Sequence, residues 1–132
     1  VYEVLGRDVA AALEGAINNA TNNGVEGTGS GSYPYTFNLS YEYDANAEAG
    51  KRICNLKLYS PNVGWQAIEF DKLYRGTSSA YTMKGKEGYE ALLNMKGDGL
   101  VTCVSMADCF IELLSAEPTK LNRKDKTEVV IK

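Results

Sequence analysis

Histidine is absent from this 132-residue chain. Without an imidazole, neither a Ser-His-Asp nor a Cys-His nucleophile can be assembled, and the commonest zinc ligand is missing. Cysteine is scarce as well: Cys54, Cys103 and Cys109 stand in no C-x-x-C spacing, so a thiolate zinc site within the chain is not expected. Cys103 and Cys109 are far enough apart to close a disulfide loop. The odd count fixes no redox compartment, however, and buried free thiols are the simpler expectation. No apolar run approaches the roughly 20 residues that span a bilayer. The 14 basic residues, against 17 acidic ones, do not gather into a stripe interleaved with aromatics, so nucleic acid is not an expected partner. The chain opens on Val1 in a strand-like pattern, with no basic start, apolar centre or cleavage site. It is expected to be a segment of a longer protein whose targeting signal lies upstream.

What is present fits one domain over residues 1–132, long enough to bury a core without a metal or disulfide staple. Val1 to Leu5 reads as a short strand broken by Gly6. In the following segment, Val9, Leu13, Ala16, Ile17 and Ala20 recur at steps of three and four, the mark of a core helix face. Asn22-Asn-Gly24 ends that helix, and the Gly/Ser-rich stretch from Gly24 to Tyr33 is too poor in apolar residues to pack, so a mobile surface loop is expected there.

Tyr33 to Asp44 alternates, which would place Tyr33, Tyr35, Phe37, Leu39, Tyr41 and Tyr43 on one face of a strand. Pro34 confines that end of it to an edge or to the strand's start. Arg52 to Ser60 alternates again, with Cys54, Leu56 and Leu58 together, and pairs most simply with its predecessor as a hairpin. Trp65 to Tyr74 is mixed. Ser79 to Leu93 is expected to be a strand ending at Tyr81, a glycine-flanked turn, and a helix from about Glu87 to Met95. A strand over Leu100 to Val104 follows. Ser105 has N-cap spacing to Asp108, opening a further core helix that Pro118 stops. Thr119 to Lys126 reads as a basic, exposed connection and Thr127 to Ile131 as a closing strand. Strands and helices interleave irregularly, which predicts an α+β domain with a mixed β-sheet and packed helices.

Nine tyrosines against three phenylalanines and one tryptophan is a skew toward rings with one wet edge. The stretch Gly85-Lys-Glu-Gly88 sets a carboxylate beside Tyr81 and Tyr89 in a turn. It is too short, and lacks the Lys-Ser/Thr ending, for a phosphate-cradling loop, so Lys84 and Lys86 are expected to be solvated. No carboxylate is paired with histidine or a second carboxylate in a motif, so acid/base catalysis has no support within the chain.

The order Val4-Leu-Gly-Arg-Asp-Val-Ala-Ala-Ala-Leu-Glu14, then Gly31-Ser-Tyr-Pro-Tyr35, Tyr43-Asp44, Gly50-Lys-Arg-Ile53 and Tyr81-Thr-Met-Lys-Gly-Lys-Glu-Gly-Tyr89 resembles the C-terminal domain of the 5'-nucleotidase and UDP-sugar hydrolase family. The resemblance spans nearly the whole chain. The family's last motif reads Phe-x-x-x-Gly-Gly-Asp-Gly-aromatic, with the Phe stacking on the base and the Asp binding ribose or related hydroxyls. It therefore implies a stacking role for Tyr81, a hydroxyl-binding role for Glu87, and a turn framed by Gly85 and Gly88. The second stacking ring would be Tyr33, or Phe37 in the other register, where Asn38 would be a polar contact. Lys86 in place of the second glycine, Glu87 in place of Asp, and Phe37-Asn38 in place of a small pair all depart from the pattern.

The resemblance further implies a nucleotide or nucleoside ligand, and a preceding metallophosphoesterase domain of the same polypeptide that carries a divalent metal pair and hydrolyses nucleotide phosphate esters. A periplasmic or extracellular location is also implied. The chain itself is expected to supply no cofactor site and to be inactive alone. The alternative is a divergent binding or interaction module whose ligand is not a nucleotide.

Overall fold

A computed structural model describes residues 1–21, 30–118 and 129–131. Strand β1 (Tyr2–Leu5) leads directly into helix α1 (Gly6–Ala20). Leu5 gives α1 no side-chain N-cap; its first free amides are satisfied by residues 70–72, Gly6 N–H donating to Lys72 O at 3.0 Å and Arg7 N–H to Phe70 O at 3.1 Å, while at the other end Thr21 Oγ1 donates to Ile17 O at 2.8 Å. The face predicted from spacing is the buried one: Leu13, Ala16 and Ile17 are inside, joined by Ala12.

Strands β2 (Leu39–Tyr43), β3 (Ile53–Ser60) and β4 (Gly64–Ala67) follow, then β5 (Leu73–Gly76). After the one-turn helix α2 (Ala80–Met83) and two 3-10 turns come helix α3 (Met106–Ala116) and strand β6 (Val129–Ile131). The main sheet runs β4-β3-β2-β6, antiparallel except for the parallel β2–β6 pair, and β1 pairs with β5 in a separate two-stranded ribbon. The fold is thus α+β with a mixed sheet. Tyr41 and Ile17, both fully buried, meet Leu13, Tyr43 and Leu56 in a core between α1 and the sheet, and Val4, Ala12 and Leu92 form a second core beneath α1. Burying a side chain the size of Ile17 is worth about 2–3 kcal/mol, so α1 is the element both cores depend on.

Several expectations are corrected. The strand expected from Tyr33 begins only at Leu39. Asn38 has φ 59°, a left-handed conformation that breaks the alternation, and Thr36 Oγ1 donates to Leu39 O at 2.8 Å to close the bend. Tyr33, Tyr35 and Phe37 therefore lie on an irregular segment, while Leu39, Tyr41 and Tyr43 keep the inward face. In β3, Asn55 is also left-handed, and the register against β2 shifts there; Leu56 is buried but Cys54 is turned out. All three thiols are free and exposed, neither buried nor paired.

Tyr81 ends no strand: Ser79 Oγ accepts from Thr82 N–H at 3.1 Å and starts α2 instead. The helix expected from Glu87 is two 3-10 turns, Lys86–Gly88 and Glu90–Asn94, because Glu87 is left-handed at φ 54°. Leu100 to Val104 is not a strand. Helix α3 is present, with Ser105 capping Asp108 N–H at 3.0 Å, but it is not a core helix, for none of its residues is buried. The Gly24–Gly29 part of the predicted loop and the basic connection of residues 119–126 lie outside the described residues.

Candidate ligand site

The turn at Gly85–Tyr89 is held by backbone against backbone. Gly15, in the middle of α1, and Gly88 face each other so closely that a Cβ on Gly15 would overlap Gly88 O and lie 3.1 Å from its carbonyl carbon. A Cβ on Gly88 would lie 2.6 Å from the carbonyl carbon of Gly15 and 2.9 Å from Ala16 N. Both positions must be glycine for the turn to sit against the helix, and Gly88 also carries φ 95°. Gly85, at φ 75°, is buried under Leu93. These contacts fix the base of the turn and leave Lys84, Lys86 and Glu87 exposed at its rim.

Tyr89 ties the turn to the segment before β2. Its hydroxyl donates to Ser32 O at 2.9 Å, and Ser32 Oγ in turn donates to Ala16 O at 3.3 Å while accepting from Asn19 Nδ2 at 3.0 Å. The tyrosine is pushed up to about 12 by burial, with Tyr2 and the Glu87 carboxylate adding to the shift, so its proton stays available for that bond. Next along the chain, Tyr41 donates to Pro34 O at 3.1 Å and is raised well above the usual range, first by burial and then by Tyr33. Tyr33, Tyr41 and Tyr89 thus cluster about residues 32–34, and neither Tyr41 nor Tyr89 is poised to ionise at neutral pH.

Of the residues that the resemblance implicates, Tyr81 presents its ring outward on α2, 56% exposed. Phe37 is likewise 58% exposed, whereas Tyr33 is half-buried, packed against the core, with its ring 5.5 Å from that of Tyr35. Among the described residues no ring pair joins Tyr81 to Tyr33. Asn38 gives its backbone carbonyl to Tyr59 N–H at 2.9 Å. Tyr35, 91% exposed, is a further ring on this segment that the alternation had not set apart from its neighbours.

Two residues that organise the site carried only indirect sequence signals. Gly15 interrupts an otherwise helix-favouring run, where glycine costs about 1 kcal/mol unless close packing requires it. Glu14 stands alone in its helix without a motif, and its carboxylate accepts from Gly50 N–H at 2.8 Å, Arg52 N–H at 3.0 Å and Ile53 N–H at 2.8 Å. Arg52 then reaches Asn18 Oδ1 at 2.9 Å and Ala47 O at 3.0 Å. Neither feature touches a ligand face; both lock α1 to the elements that present it.

Among the described residues no three His, Cys, Asp or Glu side chains group as a metal site, and no helix is long and apolar enough to cross a membrane. A shallow concavity of about 380 Å³ near Val1, Arg75 and Leu100 shares no residue with the turn. The exposed rings offer faces for stacking, and the carboxylate at the turn offers hydrogen-bond acceptors.

Comparison with known proteins agrees with the fold. No curated protein matches the sequence. Among solved structures, the 5'-nucleotidase precursor of Thermus thermophilus superposes with TM-score 0.77 at 21% identity, covering 98% of this chain and 24% of that one. The NAD nucleotidase of Haemophilus influenzae gives 0.76 at 25% identity, covering 99% and 24%. A putative 5'-nucleotidase of Staphylococcus aureus, in complex with alpha-ketoglutarate, gives 0.80 at 16% identity, covering 99% and 26%. The chain therefore spans about a quarter of the length of these relatives. Residues 1–94 match the family described as 5'-nucleotidase, C-terminal domain, and the chain belongs to that family.

Proposed function

We propose that this domain recognises the nucleoside part of a nucleotide on behalf of a 5'-nucleotidase-type metallophosphoesterase that hydrolyses nucleotide phosphate esters. The observation that carries this reading is the Gly15–Gly88 contact, which fixes a turn with Tyr81 exposed at one end and Glu87 at its rim. Tyr81 supplies a ring face for the base, and a base–aromatic stack is worth about 1–3 kcal/mol. The Glu87 carboxylate is an acceptor for ribose hydroxyls. Phe37, or Tyr33 in the other register, is the second ring, with Asn38 beside Phe37.

The divalent metal pair belongs, in this reading, to a domain preceding this one in the same polypeptide, and this chain's residues bind and orient. The relatives described as 5'-nucleotidases and NAD nucleotidase support the ligand class, and a relative described as a precursor supports a periplasmic or extracellular protein.

Titration calorimetry with adenosine, AMP and a UDP-sugar tests the assignment. Saturable binding that Tyr81→Ala weakens about tenfold or more is expected; unchanged affinity in that variant overturns it. The domain alone is expected to hydrolyse none of these with added divalent metal. A second reading, a module whose ligand is not a nucleotide, is favoured by the packing of Tyr33 into the core instead of against Tyr81. Absence of binding by all three ligands at millimolar concentration selects it.

A further inference from the structure

Residues 100–116 present an apolar strip that the other described residues leave uncovered. Leu100, Val101 and Val104 precede α3, and Met106, Phe110 and Leu113 recur along it at helical spacing; these six are between 44% and 74% exposed. The residue between them on the same face is Cys109, also exposed. The other side of α3 carries Asp108 and Glu112, with Ile111, 61% exposed, beside them. An amphipathic helix ordinarily turns such a stripe toward a core, and an apolar patch of this kind marks an interaction surface.

The hydrogen bonds of Val1 and Glu3 point to what covers it. Val1 N donates to Leu100 O at 2.8 Å, Leu100 N–H donates to Val1 O at 2.7 Å, and Lys96 N–H donates to Glu3 O at 2.8 Å. The chain over 96–100 thus runs antiparallel alongside β1, with Leu100 opposite Val1. Extended along the same line, polypeptide before Val1 would pass beside Val101 and Thr102 toward α3. No backbone N–H of Val101 or Thr102 donates to a described residue, so these two can accept an added segment by main-chain pairing before the left-handed Cys103, at φ 59°, ends the extended run. The relatives carry about three quarters of their length outside this fold.

We propose that, in the full-length protein, the polypeptide immediately preceding Val1 lies along Leu100–Val104 and α3 and covers their apolar side chains. Residues 100–116 are then the surface that fixes this domain to the part of the protein before it. The inference rests on the reading that the chain is the C-terminal part of a longer enzyme.

Cys103 and Cys109 are built-in probes. In the full-length protein each thiol is alkylated under native conditions and its rate compared, by mass spectrometry, with the rate of the same thiol in denaturant. Cys109 is expected to react at least about tenfold more slowly in the native protein, as covered groups react only on local opening. Replacing about twenty residues before Val1 by a Gly-Ser linker of equal length should restore the free rate. If that variant does not fold, Phe110→Glu is used instead, and it too should free Cys109.

A native rate equal to the free rate overturns the proposal, as does protection that survives either change. Protection that disappears on dilution, with the mass falling from dimer to monomer, overturns it in favour of a second copy. Nucleotide hydrolysis by the same full-length preparation is measured in parallel. Its absence counts against the proposed function, while the labelling ratio judges the docking surface separately.

Discussion

Gly15→Ala sets two effects of opposite sign against each other. At a helix-interior position, alanine should stabilise α1 by about 1 kcal/mol relative to glycine. The tertiary contact predicts the reverse: the new Cβ overlaps Gly88 O and lies 3.1 Å from the carbonyl carbon. Neither obstacle is a side chain that can swing aside. Either α1 or the Gly85–Tyr89 turn must move by roughly an ångström, an overpacking at the upper end of the usual range of about 1–3 kcal/mol because both obstacles are backbone. Net destabilisation of about 2 kcal/mol is therefore expected. With a urea m-value of about 1.5 kcal/mol/M, the midpoint should fall by roughly 1.3 M at constant m. Gly31→Ala is the control, since a Cβ there meets nothing within 4 Å, and its midpoint should stay in place. The double variant Gly15→Ala/Gly88→Ala should cost less than the two single changes added together, because one displacement relieves both overlaps. A Gly15→Ala protein as stable as the parent, or more so, would refute the claim that backbone contact seats the turn.

Glu14→Ala leaves the amides of Gly50, Arg52 and Ile53 without their shared acceptor; a loss of about 2–3 kcal/mol is expected, read as a lowered midpoint together with faster proteolysis near Gly50, and an unchanged midpoint would remove the clamp from the account. Alkaline stability should report Tyr89, whose proton is held to about 12 in the fold against an ordinary value of 10. Its contribution is complete below pH 10 and declines by about 1.4 kcal/mol per pH unit as pH rises from 10 toward 12, where the unfolded chain has lost the proton and the folded one has not. Urea midpoints measured between pH 9 and 11.5 should fall, and Tyr89→Phe should flatten that fall, leaving the part due to Tyr41; an identical slope in the variant would sink the assignment.

Local pattern alone determined the secondary elements whose period agrees with their packing. The face of α1 is written in Leu13, Ala16 and Ile17, the β2–β3 hairpin in Leu39, Tyr41, Tyr43 and Leu56, and the start of α3 in Ser105 and Asp108. Each is legible because a helix or strand repeats its orientation from neighbour to neighbour. The same rule, extended one bend too far, wrongly put Tyr33, Tyr35 and Phe37 on β2, since a single left-handed residue at Asn38 resets the alternation.

The aromatic and acidic candidates Tyr81 and Glu87 were named from motif resemblance. What only the tertiary structure decided is how their turn is held: Gly15 against Gly88, Tyr89 on Ser32, and Glu14 on the Gly50–Ile53 amides join positions 36 to 73 residues apart. No local period encodes such contacts, because they depend on which backbone groups the folded chain brings face to face. The exposure of α3 was hidden for the same reason. Its sequence specifies an apolar stripe, but whether this domain or another surface covers that stripe is settled by where the rest of the chain runs.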